Sequence, residues 1–195
     1  MTGTVNQQLV LASRSPRRVE LMRDAGYVFL VDPADIDEDA APTDLTPTQL
    51  AELLAVSKAK AVAIRHPDAV VIGCDTVVFA RDEFLAKPTD ANDARRMMRL
   101  LSNTVHDVVT GVALVHHASQ RQLASSETSH IHFREISAAE IEAHIKSDNW
   151  QGKAGGYGLQ HNDPFVTRVE GDPTNVVGLP MGLLARLFAQ FDQNK

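Results

Sequence analysis

The order of patterned segments predicts a mixed α/β protein, a mixed β-sheet flanked by helices. Three observations carry this. A short apolar strand runs directly into a helix start near the N-terminus, a Val-rich apolar run stands mid-chain, and two long alternating segments follow one another across a tight polar turn. Strands and helices interleave, but the long hairpin does not fit a regular doubly wound fold.

QLVLAS (8–13) reads as a buried strand, and Ser15 with Pro16 as the N-cap and first position of a helix that Gly26 ends. YVFLV (27–31) begins a second strand, and the polar loop DPADIDEDAAPTDLTP leads into an Ala-rich helix over about 47–65. AVVIGCDTVVFA (69–80) is an apolar strand interrupted by Asp75 and Thr76, and ARDEFLAKP after it reads as a turn with solvated charges. TDANDARRMMRLLS predicts a helix with Thr89 as N-cap and Met97 and Met98 as core filler. Residues 104–117 and 120–134 predict two long strands, with His116 and His117 flanking their turn. SAAEIEAHIKS is a helix opened by a Ser137–Glu140 capping box. Two short strands (about 155–160 and 164–170) and a helix over about 176–191 complete the chain. There is no repeat and no interdomain linker, so residues 1–195 read as one domain with a polar tail at 1–7.

Composition narrows the function. The 195 residues are 44% hydrophobic and 23% charged, enough for a full core. A net charge of −6 argues against a general nucleic-acid surface, so an anion site must be a local cluster of Arg and Lys. A lone Cys74 excludes an internal disulfide and a Cys-rich metal site. The N-terminus is polar without a hydrophobic region and no apolar run reaches roughly 18 residues, which reads as a cytoplasmic protein without membrane insertion.

Four features could carry chemistry. SRSPRR (13–18) puts Arg14, Arg17 and Arg18 at a helix N-terminus, where free N–H groups, a partial positive charge and forked donors suit phosphate. The alternative is a connection with solvated arginines. Asp75 is a carboxylate inside an apolar strand, costly unless paired or metal-bound, and so a candidate general base or ligand, with Lys87 placed to return toward it. The acidic loop with Asp35, Asp37, Glu38 and Asp39 offers hard oxygens to Mg²⁺, or is a run of solvated acids. GKAGGYGLQ (152–160) brings backbone close to a ligand, with Lys153 for charge and Gln160 for the edge of a uracil or thymine ring, or is a Gly-rich connector. His130 and His132, two apart on one strand face, read as a hydrogen-bonded surface pair rather than a metal pair, Cys74 as an inert small hydrophobe, and Trp150 as a cover for a loop or a partner surface.

Together SRSPRR, SKAKA, GCDTVV, KP, HDVVTGVAL, KAGGYGLQ and NVVGLP, in this order from about residue 9 to 185, resemble the Maf family of nucleoside triphosphate pyrophosphatases. The resemblance implies a hydrolase acting on acid anhydrides, cutting between the α and β phosphates, with a house-cleaning role and a link to cell-division arrest. It also implies an α/β sheet bent around a central cleft, similar to that of the inosine triphosphate pyrophosphatases, a divalent cation (Mg²⁺ or Mn²⁺) and a homodimer. Carried over, Asp75 is the general base, Ser13, Arg17 and Arg18 belong to the phosphate-gripping turn, Lys58 and Lys87 face the cleft, and Glu38 is a metal ligand. Arg17, Thr76 and Gln160 match the branch acting on dTTP and UTP, modified pyrimidine nucleotides being further candidates, whereas the sister branch acting on 7-methyl-GTP carries Trp, Gln and Glu there. Cys74 and Asn103 depart from the family's usual residues, as does His161-Asn162-Asp163 after Gln160, and the Asp-Pro before NVVGLP is familiar from the 7-methyl-GTP branch. A non-catalytic nucleotide sensor regulating septation and a nucleotidyltransferase are the rival classes. The first is disfavoured by Asp75 and Lys87, the second by the lack of a motif for an acceptor pocket.

Overall fold

The computed structural model describes residues 7–38, 40–42, 44–159 and 163–193. Its elements in chain order are β1 (Leu9–Leu11), α1 (Pro16–Asp24), β2 (Leu30–Val31), α2 (Pro47–Ala63), β3 (Val70–Ala80), β4 (Glu83–Leu85), α3 (Ala91–Leu101), β5 (Val105–His116), β6 (Arg121–Phe133), α4 (Ala138–Lys146), a 3₁₀ turn (Ala154–Gly156), β7 (Val166–Glu170), α5 (Pro173–Val177) and α6 (Met181–Gln193). Seven strands form one mixed sheet in the order β2-β1-β3-β5-β6-β7, with β4 also on β3. β1 pairs in parallel with β2 and β3, and the remaining pairings are antiparallel. The mixed α/β class and the long β5–β6 hairpin agree with the sequence reading. Among the described residues no helix is long and apolar enough to cross a membrane.

One edge of β3 is shared by two strands. Leu9–Leu11 of β1 lie against Val70–Ile72, and β4 lies against Val78–Ala80, so Gly73–Val77 have no strand partner on that edge. The other edge pairs continuously with β5, which puts Asp75 opposite Gly111 and Thr76 opposite Thr110. The sheet therefore opens where its polar residues stand.

Side-chain alternation sends neighbouring residues of β3 to opposite faces. Val71 packs with Val10, Ala113 and the α2 residues Ala55, Ala59 and Val62. Ile72 and Cys74 pack with Leu11, Leu114 and the α6 residues Leu184, Leu187 and Phe191. A third cluster joins α3 and α4 to the far end of the sheet through Met97, Met98, Ile131, Phe133 and Ile141. Glycines fix the approach of α2, because a Cβ on Gly73 would strike the Ala55 carbonyl and one on Gly111 the Ala51 carbonyl. Ala51, Ala55 and Ala59 recur every four residues on one helical face, so two smooth surfaces meet.

Several elements differ from expectation for local reasons. Asp90, not Thr89, caps α3, its carboxylate accepting from the Asn92 and Asp93 N–H groups. Where a strand is expected over 155–160, Ala154–Gly156 form a 3₁₀ turn, because Gly155 and Gly156 take φ of 69° and 75°, outside strand geometry, and Gln160 lies outside the described residues. The C-terminal helix is broken in two where Gly178 ends α5 at φ 118° and Pro180 precedes α6. Part of the turn after β3 returns as β4 across Arg81 and Asp82, both at positive φ. The second strand is only two residues long, with Val28 before it 90% exposed.

Candidate active site

The gap in β3 opens into a cleft of about 1010 Å³. Among the sequence-predicted site positions, Ser13, Arg14, Arg17, Arg18, Asp35, Glu38, Lys58, Asp75, Thr76, Lys87 and Lys153 lie on its wall, and Asp37 does not. Gln160 and Asp39 lie outside the described residues.

Asp75 points to the α2 face of the sheet, where the close packing at Gly73 and Gly111 brings Lys58 to it. The Lys58 Nζ donates to Asp75 Oδ1 at 2.5 Å and lies 2.8 Å from Glu38 Oε1. Asp75 is buried, 7% exposed, while the Glu38 side chain is 48% exposed. One ammonium thus holds two carboxylates together at the cleft. Burial draws the Glu38 carboxyl upward, but Lys58, with Lys87 and Arg18 behind it, outweighs this and holds it below its ordinary range. Lys87 is exposed on the rim and acts on Glu38 through its charge.

Thr76 faces the other side of the sheet and meets α1. Arg18 donates to the Gly178 carbonyl at 2.7 Å, the Cys74 carbonyl at 2.8 Å, Thr76 Oγ1 at 3.0 Å and Ser13 Oγ at 3.2 Å. Cys74 lies in the stretch of β3 without a strand on that edge, so Arg18 supplies the donor a neighbouring strand would have given. Four of its five N–H donors are used within the protein. Arg18 therefore ties β1, β3 and the α5–α6 turn together under the cleft floor. Thr76 continues the chain of bonds to Thr110 at 2.9 Å, and Thr110 donates to the Asn175 carbonyl at 3.0 Å.

No described side chain pairs with Arg17 or Lys153 as a close ion pair. Burial first, and then the neighbouring Arg18, push the Arg17 guanidinium below its usual range. Burial also lowers the Lys153 ammonium, with attraction from Asp163 and repulsion from Arg17 opposing each other. Lys153 donates to the Asn149 carbonyl. Ser15 stands at the N-cap of α1 but makes no side-chain cap bond, and Pro16 follows it.

The remaining candidates lie elsewhere. His130 bonds Asp107 at 2.7 Å and His132 bonds Glu170 at 2.8 Å, and no group of three or more metal-capable side chains occurs among the described residues. Trp150 is buried, its Nε1 donating to the Ile145 carbonyl. Sequence reasoning missed Thr110, although a hydroxyl in the Val-rich strand VVTGV is the same signal that singled out Asp75. It also missed Gly178 and Asn175, for which the chain offers no local cue.

The profile of Maf-like proteins matches residues 8–191. A dTTP/UTP pyrophosphatase of Symbiobacterium thermophilum is 40% identical over 95% of this chain and 94% of its own length. One from Koribacter versatilis is 45% identical over 92% of each chain. Among solved structures, a HAM1 protein from Coxiella burnetii gives a TM-score of 0.43 at 15% identity, covering 65% of this chain and 73% of its own. With a profile and full-length relatives agreeing on the same span as the cleft-forming motifs, the chain belongs to the Maf family.

Proposed function

We propose that the protein is a nucleoside triphosphate pyrophosphatase that hydrolyses the α–β phosphoanhydride of dTTP and UTP to the monophosphate and pyrophosphate. The observation that carries this reading is a buried carboxylate, Asp75, set among the cations Arg17, Lys58, Lys87 and Lys153 around one cleft. A triphosphate needs dense positive charge, and its hydrolysis needs a base for water. The pyrimidine preference is supported by Arg17 and Thr76 and by the name of the relatives, dTTP/UTP pyrophosphatase.

Arg17 and Lys153, without close carboxylate partners, bind phosphate oxygens, and Arg18 holds the turn that presents Arg17. Asp75 accepts the proton of the attacking water as its oxygen bonds to phosphorus and the bridging P–O bond breaks. The departing pyrophosphate leaves toward the lysines. Lys58, donating to its Oδ1, keeps Asp75 oriented between proton transfers.

A divalent cation fits the donor set in part. Glu38 and Asp75 are two hard carboxylates drawn to one point, and Mg²⁺ commonly takes one or two with water and phosphate completing its shell. When bound there, such an ion would neutralise phosphate charge and lower the pKa of its water. Mg²⁺ or Mn²⁺ therefore belongs to the proposal, with Glu38 as the exposed ligand.

The test is pyrophosphate release with Mg²⁺ or Mn²⁺ from dTTP, UTP, CTP, GTP and 7-methyl-GTP, beside Asp75→Asn. Release from dTTP and UTP that the variant loses is the expected result. Preference for 7-methyl-GTP would overturn the substrate assignment, and no release from any nucleotide would overturn the activity.

A further inference from the structure

The glycine-rich wall of the cleft, Gly152–Leu159, contributes Lys153, Tyr157 and Gly158 to its lining. It belongs to no strand, Gly155 and Gly156 sit at positive φ, and its main-chain tie to a neighbouring element is the Gly155 N–H, which donates to the Ala86 carbonyl at 3.1 Å. Two buried side chains hold it from behind. His144 on α4 donates from Nε2 to the Gly156 carbonyl at 2.8 Å, which fixes the tautomer with its proton on that nitrogen. Asp163 Oδ2 accepts from the Gly158 N–H at 2.7 Å, a charge-assisted bond. The two clamps face each other, His144 Nδ1 lying 3.8 Å from Asp163 Oδ1, each side chain 4% exposed, with Phe165 packed edge-on against the imidazole at 5.4 Å. Asp163 also attracts the Lys153 ammonium against the repulsion of Arg17.

We infer that His144 and Asp163 are positioning residues for nucleotide binding, holding the Gly152–Leu159 wall and its Lys153 ammonium in place without touching the reacting atoms. The reasoning rests on the reading of this cleft as a nucleoside triphosphate site. A carbonyl and an N–H two residues apart are each capped by a buried group, so loss of either removes an anchor from a wall otherwise tied down by the Gly155 N–H on the Ala86 carbonyl and by Tyr157 on His106. Asp163 adds a second effect, because its charge offsets the crowding of Lys153 by Arg17. Neither residue bonds to Asp75, Lys58 or Glu38, which pair with one another, so the chemical step keeps its geometry.

The test uses His144→Leu, His144→Gln and Asp163→Asn in the full chain. Gln places an amide donor where Nε2 stood, and Asn keeps an oxygen acceptor while removing the charge. Hydrogen exchange is read over Gly152–Leu159 without nucleotide, and KM and kcat for UTP are read separately. His144→Leu and Asp163→Asn should exchange about tenfold faster in that segment alone, and raise KM about tenfold with kcat changed less than about threefold. His144→Gln should lie near the wild type in both. Unchanged exchange, or a looser wall with unchanged KM, overturns the inference, as does a fall in kcat alone. Faster exchange throughout the molecule would mark the pair as core packing and overturn it too. If the wild type releases no pyrophosphate, the activity reading fails by itself, while the exchange measurement still decides whether the clamp exists.

Discussion

Replacing Arg18 by Met separates a brace from a phosphate contact. The substitution removes donors from the Gly178 and Cys74 carbonyls, 2.7 and 2.8 Å away, and from the Ser13 and Thr76 hydroxyls. The hydroxyls are the smaller loss, since Thr76 keeps Thr110 at 2.9 Å. The carbonyls are the larger one, because Gly178 is buried and Cys74 has no strand beside it on that edge. Leaving a buried acceptor without its donor costs about 1–3 kcal/mol, so the pair should cost about 3 kcal/mol after local relaxation. For a chain of this size that lowers Tm by roughly 6–12 °C. Arg18→Lys keeps the charge, but one ammonium cannot span β1, β3 and the α5–α6 turn, so about half the loss should remain. Thermal unfolding by circular dichroism, with UTP affinity measured alongside, reads both quantities. A Met variant that melts with the wild type yet no longer binds UTP would refute the reasoning, since Arg18 would then act on phosphate rather than on the fold.

Other perturbations reach different parts of the site. Asp75→Asn should cut pyrophosphate release by about 10²–10⁴-fold with UTP binding retained, because an amide cannot take the water's proton; an undiminished rate would remove Asp75 from the chemistry. Gly111→Ala should drive α2 off the sheet and part Lys58 from Asp75, giving a large loss of both Tm and activity; a variant that folds and works normally would show that the close approach is not needed. Lys58→Met frees Glu38 and Asp75 from their shared ammonium, so Mn²⁺ should bind the nucleotide-free chain more tightly by electron paramagnetic resonance while turnover falls; weaker Mn²⁺ binding would mean the two carboxylates are not its ligands. His106 is buried beside Tyr157 and burial holds it down to about 4, below the ordinary 6.5. The unfolded chain therefore takes up this proton first as pH falls, and stability present above pH 6.5 declines by roughly 3 kcal/mol on the way to pH 4. His106→Gln should flatten that part of the Tm–pH curve, and an unaltered slope would assign it to other groups.

What the sequence reveals and what it hides divide along a physical line. Asp75 is legible because an ionised group in an apolar strand is costly wherever the strand goes, and the Ser137–Glu140 capping box because both partners lie within one turn. The SRSPRR turn suggests an anion site in the sequence, but only folding shows that Arg17 and Arg18 have different neighbours. Adjacent residues at the start of a helix point to different neighbours, and the partners of Arg18 lie as far off as Gly178. Gly73 and Gly111 read as ordinary strand residues until α2 is laid against them. The apolar period runs on across Gly178-Leu179-Pro180 and predicts a continuous C-terminal helix, yet a left-handed glycine and a proline outweigh that period. Likewise, apolar residues between glycines at 155–160 suggest alternation, whereas backbone sign decides the conformation.

The charge distribution ties the fold to its substrate class. The chain carries a net charge of −6, and yet cations gather along one cleft. A long polyanion would meet the acidic remainder of the surface along with the cleft. A nucleotide concentrates its charge within a triphosphate about as long as the Debye length of roughly 8 Å, so it responds to the local cations and little to the periphery. The same crowding explains why Arg17 and Lys153 are both pushed below their ordinary range, by burial and by neighbouring positive charge. Each would be better placed beside an anion, and neither has a close carboxylate among the described side chains. Lys58 is the opposite case, with two carboxylates of its own. The cleft thus holds two kinds of cation. In the proposed reaction Arg17 and Lys153 are left to meet phosphate, while Lys58 is matched within the protein and keeps Asp75 in register.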